Sequence, residues 1–84
     1  MSVISLSQMK AGQHGEVQEL KGKGEICHRL SEMGIIRGTQ VEVIRFAPMG
    51  DPIDIVIRGY HLSLRLQEAE AIQVAISDQK KNAI

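Results

Sequence analysis

Cys27 and His28 are adjacent, and a thiol beside an imidazole is a pairing that nucleophilic catalysis uses. On a helix, neighbouring side chains point about 100° apart, so this pair diverges instead of sharing a proton. Cys27 therefore reads as a small core residue. His14, His28 and His61, with Cys27, are the candidate transition-metal ligands. Their spacing matches no finger, ribbon or His-x-x-x-His pattern. His28 and Glu32 stand four residues apart, where a weakly held surface ion and a solvated helix face explain them equally well. Gly22-Lys23-Gly24-Glu25 sets a lysine among glycines before a helix, but a phosphate-binding loop needs wider glycine spacing followed by Lys and Ser or Thr. Glu25 in the first helical turn also opposes an anion there. Phe46 and Tyr60 are the only aromatic residues, too few to line a groove for proline-rich peptides. These readings predict no enzyme, no cofactor and no dedicated metal site.

The most unusual segment is Ala47-Pro48-Met49-Gly50-Asp51-Pro52. Pro48, Gly50 and Pro52 stiffen it into a tight turn. Met49 at its tip is either an ordinary exposed apolar residue or an adaptable contact for a partner. Asp51 adds a charge that can fix orientation.

Composition narrows the classes of partner. Ten basic residues balance ten acidic ones, so the net charge is zero. Such a chain has no electrostatic footprint for nucleic acid or for an anionic membrane. The single cysteine excludes an internal disulfide and fits a reducing compartment. The first residues lack the basic and apolar regions of a secretion signal. No apolar run approaches the roughly 18 residues of a membrane span. The expectation is a soluble, cytoplasmic protein that reaches a membrane only through a partner, with self-association possible at zero net charge.

The elements follow from periodicity. With 84 residues the chain makes one domain, placed at residues 1–76, with a polar, disordered tail at 77–84. Ser5 to Gln8 reads as a helical turn, and Gly12 and Gly15 as loop punctuation before a strand from Glu16 to Leu20. Ile26, Leu30 and Met33 share one face of a helix from Glu25 to Met33, with Glu25 and Arg29 spaced to pair. Gly34 is placed to end that helix in a left-handed conformation, folding Ile35 back on Leu30. Thr39 to Phe46 is a strand whose apolar phase switches at Ile44, the mark of a bulge. Ile53 to Arg58 alternates cleanly, Gly59-Tyr60 bends, and Leu62 and Leu64 mark another strand. Arg65 to Glu70 reads as one helical turn and Ala71 to Ile76 as a last strand. Short strands, tight turns and one early helix predict a mostly β fold: a small SH3-like β-barrel with an inserted α-helix. The expected core is Val17, Ile26, Leu30, Val41, Val43, Ile55, Ile57, Leu62, Leu64 and Ile72.

Leu30-Ser31-Glu32-Met33-Gly34-Ile35-Ile36-Arg37-Gly38-Thr39 resembles the helix-to-strand signature of FeoA domains. Ala47-Pro48-Met49-Gly50-Asp51-Pro52-Ile53 is similar to their Ala-Pro-(Leu/Met)-Gly-Asp-Pro turn. Gly59-Tyr60-His61-Leu62-Ser63-Leu64-Arg65 is similar to their Gly-Tyr-x-Leu-Ser-Leu-Arg segment. Arg37 departs from the pattern, since many members carry proline there; its loss frees the unfolded chain at a cost of about 0.4–1 kcal/mol. The resemblance implies a cytoplasmic accessory of ferrous iron transport. It implies docking on FeoB, the membrane transporter with a GTP-binding domain, and in some systems a third protein, FeoC. It brings no catalytic or metal-binding residues. The expected partner surface is Ile36, Arg37, Pro48, Met49, Gly50, Asp51 and Pro52, with Gly34, Gly38 and Gly59 as structural turns. Two alternatives remain: a DtxR-type regulatory SH3-like domain, and a small transition-metal-binding protein.

Overall fold

In β-strands, side chains alternate between two faces, and the segment Ile53–Ile57 does so without a break. Ile53, Ile55 and Ile57 are fully buried, while Asp54 and Val56 are only half-covered. This strand is β4 in a computed structural model that describes residues 2–77. In chain order, β1 is Val3–Ser5, followed by a 3-10 turn at Leu6–Gln8 and by β2 at His14–Leu20. Helix α1 spans Gly24–Glu32 and β3 spans Gln40–Phe46. After β4 come β5 (Tyr60–Leu64), α2 (Leu66–Glu70) and β6 (Ile72–Ile76).

All six strands form one antiparallel sheet in the order β1-β6-β2-β3-β4-β5. The fold is thus the SH3-like one expected, but the ladder does not close into a full barrel: β1 and β5 are its edges. Strand β1, which periodicity missed, pairs Val3 with Ala75 and Ser5 with Gln73. At three residues it is too short to show a pattern, and its partner lies at the other end of the chain.

Two irregularities bend the sheet. The β3–β4 register shifts between Val43 and Arg45, where the apolar phase switches. Ile44 is thereby turned outward at 39% exposure. The β2–β6 register shifts between Val17 and Glu19. Gly15 is not loop punctuation, as expected, but lies within β2. A Cβ there would collide with the Ala75 carbonyl and the Val74 side chain, so only glycine lets β2 and β6 approach.

The core lies under the inner face of the sheet. Val17, Leu30, Val43, Ile55, Ile57, Leu64 and Ile72 are fully buried, as expected. Ile26 and Leu62 only border it. Leu6, Met9, Ile35, Ile53 and Val74 complete it. Each fully buried side chain of this size contributes roughly 1.5–3 kcal/mol. Of the expected tail, only Ser77 is among the described residues, and its N–H donates to the His14 carbonyl (2.9 Å).

Candidate functional site

The β3–β4 connection is held by backbone bonds at two levels. Ala47 N–H donates to the Pro52 carbonyl (3.0 Å), closing its base. Gly50 N–H donates to the Ala47 carbonyl (2.7 Å), closing a four-residue turn with Pro48 in second place. Gly50 has φ 87°, which a side chain would strain. Met49 is 92% exposed at the tip.

Asp51 is not a free charge. Its Oδ1 accepts the N–H of Leu66, the first residue of α2, at 2.9 Å. Residues of a first helical turn have no intrahelical acceptor for their N–H groups. Arg65, preceding the helix, carries no acceptor on its side chain. Asp51 supplies one from fifteen residues away, and Glu68 Oε1 accepts the Arg65 N–H (2.9 Å) from within the turn. The loop is thus anchored to α2 while its tip projects.

The second expected surface, Ile36-Arg37, follows α1. Gly34 N–H donates to Ser31 O and Ile35 N–H to Leu30 O, both at 3.0 Å, with Gly34 at φ 95°. This is the Schellman arrangement, and it buries Ile35 beside Leu30. Tyr60 Oη donates to the Met33 carbonyl (3.3 Å). Thr39, the one buried polar residue among those described, fixes the corner that follows. Its Oγ1 donates to Gly34 O (3.1 Å) and accepts from Ile36 N–H (3.2 Å). Gly38, at φ 92°, donates its N–H to Val17 O (2.8 Å). These bonds hold the corner without a proline at Arg37. Sequence reasoning overlooked Thr39, although a β-hydroxyl just after a glycine-rich turn is a residue that bonds local backbone. Ile36, 44% exposed, and Arg37 line a groove of about 590 Å³ with Leu20 and Ser31.

These two surfaces lie at opposite ends of β3. Six residue steps from Gln40 to Phe46, at about 3.4 Å each, put them roughly 20 Å apart. They form two separate surfaces.

The residues considered for chemistry are dispersed. Cys27 is half-buried at the rim of α1, not in the core, with Sγ 4.0 Å from Gly22 O. His28 Nε2 lies 3.2 Å from Glu32 Oε2, both side chains open to solvent. Arg29, spaced to meet Glu25, instead reaches Glu68 of α2 at 3.5 Å. Among the described residues, no three His, Cys, Asp or Glu side chains converge as a metal site. No helix among them is long and apolar enough to cross a membrane.

On the outer face, Asp54 stands between Ser63 and Arg45. Its Oδ1 accepts from Ser63 Oγ (2.7 Å) and its Oδ2 from Arg45 Nε (3.2 Å). These two bonds, the serine's first, hold its carboxyl below the usual aspartate range.

A six-stranded antiparallel sheet with a short helix inserted after β2 defines a small SH3-like domain. A sequence profile described as the FeoA domain matches residues 4–76, and the chain belongs to the FeoA family. A fusion protein of Porphyromonas gingivalis, Fe(2+) transport protein A/Fe(2+) transporter FeoB, is 32% identical over 73 residues. The match covers 87% of this chain but only 9% of that protein. The solution structure of a FeoA-like protein from Clostridium acetobutylicum superposes with a TM-score of 0.88 at 32% identity, covering 99% of this chain and 96% of that one. Two more distant structures share the fold alone. One is FeoA of Stenotrophomonas maltophilia, a prokaryotic SH3 domain protein complexed with zinc (TM-score 0.73, 22% identity, 88% and 89% covered). The other is a manganese-dependent transcriptional repressor complexed with manganese (TM-score 0.84, 19% identity, 92% and 38% covered).

Proposed function

We propose that this protein is a non-enzymatic accessory of ferrous iron uptake that docks on the cytoplasmic GTP-binding domain of a FeoB transporter. The observation that carries this reading is the fusion relative, in which a homologous domain and an Fe(2+) transporter share one polypeptide. Covalent linkage keeps two modules at high effective concentration, which is useful when they must meet repeatedly. Where two such modules are not fused, the encounter has to run through a surface.

The Pro48–Pro52 loop is the better candidate for that surface. Its backbone is already ordered, so docking costs little further entropy. Met49 offers a flexible apolar side chain at almost full exposure. Asp51 holds the loop in place through Leu66, which leaves Pro48, Met49 and Gly50 to make contact. The Ile36-Arg37 corner is a second, independent contact or none.

The test is direct binding of the purified chain to the FeoB cytoplasmic domain, with GTP turnover followed in parallel. Saturable binding that Met49→Asp weakens supports the reading. No binding to either the isolated domain or the full transporter in membranes removes it.

A further inference from the structure

Strand β5 is an open edge. The Arg58-Gly59 turn links β4 and β5 directly, with Ile57 opposite Tyr60. In such a two-residue hairpin the flanking pair exchanges both hydrogen bonds, so Tyr60, Leu62 and Leu64 turn their backbone groups toward β4. The N–H and C=O groups of His61 and Ser63 then face outward. Both residues are exposed, and no other hydrogen bond among the described residues engages those groups. Arg65, the next residue in phase, has its N–H closed off by Glu68 Oε1.

Edge strands are usually guarded by lysine, proline, a bulge or shortness. The other edge, β1, is only three residues long. Strand β5 is five residues, Tyr-His-Leu-Ser-Leu, regular in register, with no proline and no acidic or lysine side chain. Its outward groups also have a self-complementary arrangement. An antiparallel pairing centred on Leu62 sets His61 opposite Ser63 of a second copy, and Ser63 opposite the partner's His61. That register closes a hydrogen bond on every outward backbone group of both residues. It also places the partner's His61 imidazole beside Ser63, on the side of the Ser63–Asp54–Arg45 row. Between Tyr60 and Leu64 neither strand carries an acidic, lysine or arginine side chain, and a net charge of zero gives little long-range repulsion.

We propose that β5 is a self-association surface, through which two copies of this chain pair edge to edge about Leu62 into one continuous sheet. The occupant is a second copy because the register satisfies the same groups in both chains, as an isologous contact requires. A single strand pair buries less than about 1,200 Å², so the dimer is weak and concentration-dependent.

Sedimentation of the full chain from about 10 μM to about 1 mM, where weak complexes are half-populated, reads this directly. The expected result is an apparent mass rising toward the dimer. His61→Pro removes an outward N–H and leaves the β4–β5 bonds in place, so it is expected to keep its fold and remain monomeric. Amide hydrogen exchange on the unaltered protein provides a second readout. The His61 and Ser63 amides are expected to become protected at high concentration, while Leu62 is protected throughout. A constant monomer mass overturns the proposal. So does a dimer whose new protection falls elsewhere, at Ile36 or Met49 for example, or one that His61→Pro leaves intact while folded.

Discussion

The carboxylate of Asp51 closes the first turn of a helix that begins fifteen residues later, accepting the Leu66 N–H at 2.9 Å. The bond ties the loop that carries the exposed Met49 to the segment that leads into the last strand. An alanine at position 51 is therefore expected to destabilise the fold by about 1 kcal/mol, as lost caps typically do. For a domain of this size that lowers Tm by about 4–8 °C. Asp51→Asn keeps an acceptor at the same atom and is expected to recover much of the loss. Thermal melting of both variants is the check, and equal melting of wild type and Asp51→Ala would show that the bond contributes nothing.

Met49→Asp is expected to leave melting within about 0.5 kcal/mol of wild type, because the side chain is solvated. FeoB binding and iron uptake are expected to fall, since a carboxylate forced against an apolar contact is costly to desolvate. Melting and uptake measured on the same variant separate the two effects. Unchanged uptake would make the loop a turn and nothing more.

Glycine replacements test the backbone assignments. Gly15→Ala is expected to cost about 1–3 kcal/mol, because its Cβ meets the Ala75 carbonyl and Val74 with no room to yield. Gly34→Ala is expected to cost about 1 kcal/mol through its left-handed φ, with Tyr60 Oη standing 3.4 Å from the new Cβ. Gly24, with open space around it, is expected to accept alanine at no cost. Denaturant midpoints of the three variants give the order.

Asp54 makes stability depend on pH. Its carboxyl titrates lower in the folded protein than in the unfolded chain, because Ser63 and then Arg45 hold the charged form. The contribution is therefore present above the unfolded aspartate range and is lost as pH falls through the folded value. Asp54→Asn is expected to melt below wild type at about pH 7 and to converge with it as pH falls below the usual aspartate range. A gap that widens in acid would reverse the assignment. The pair is exposed, so the effect is small and salt-sensitive.

Features set by neighbours in the sequence were legible in it. Gly34 announced its own Schellman turn, and the phase switch at Ile44 announced the β3 bulge. Features set by distant residues were not. Gly15 looked like loop punctuation because nothing local reveals that Ala75 passes behind it. Asp51 looked like a free surface charge because Leu66 is remote. Ile26 and Leu62 carry the right residue type in the right phase, yet they sit at the rim, since burial depends on where the sheet stops. The two expected partner surfaces shared one strand in the sequence, and it is the extension of that strand that separates them.

The pairing of β1 with β6 carries a consequence for how the domain joins other proteins. Ile76 N–H donates to Ser2 O at 2.8 Å, so the points where the chain enters and leaves the sheet lie side by side. A polypeptide could interrupt itself, form this domain and resume within a few ångströms of where it left off. The domain is thus suited to being tethered, spliced or circularly rejoined without rebuilding its interior. A short linker between the two ends, with new ends opened at Met49, would preserve every strand pairing.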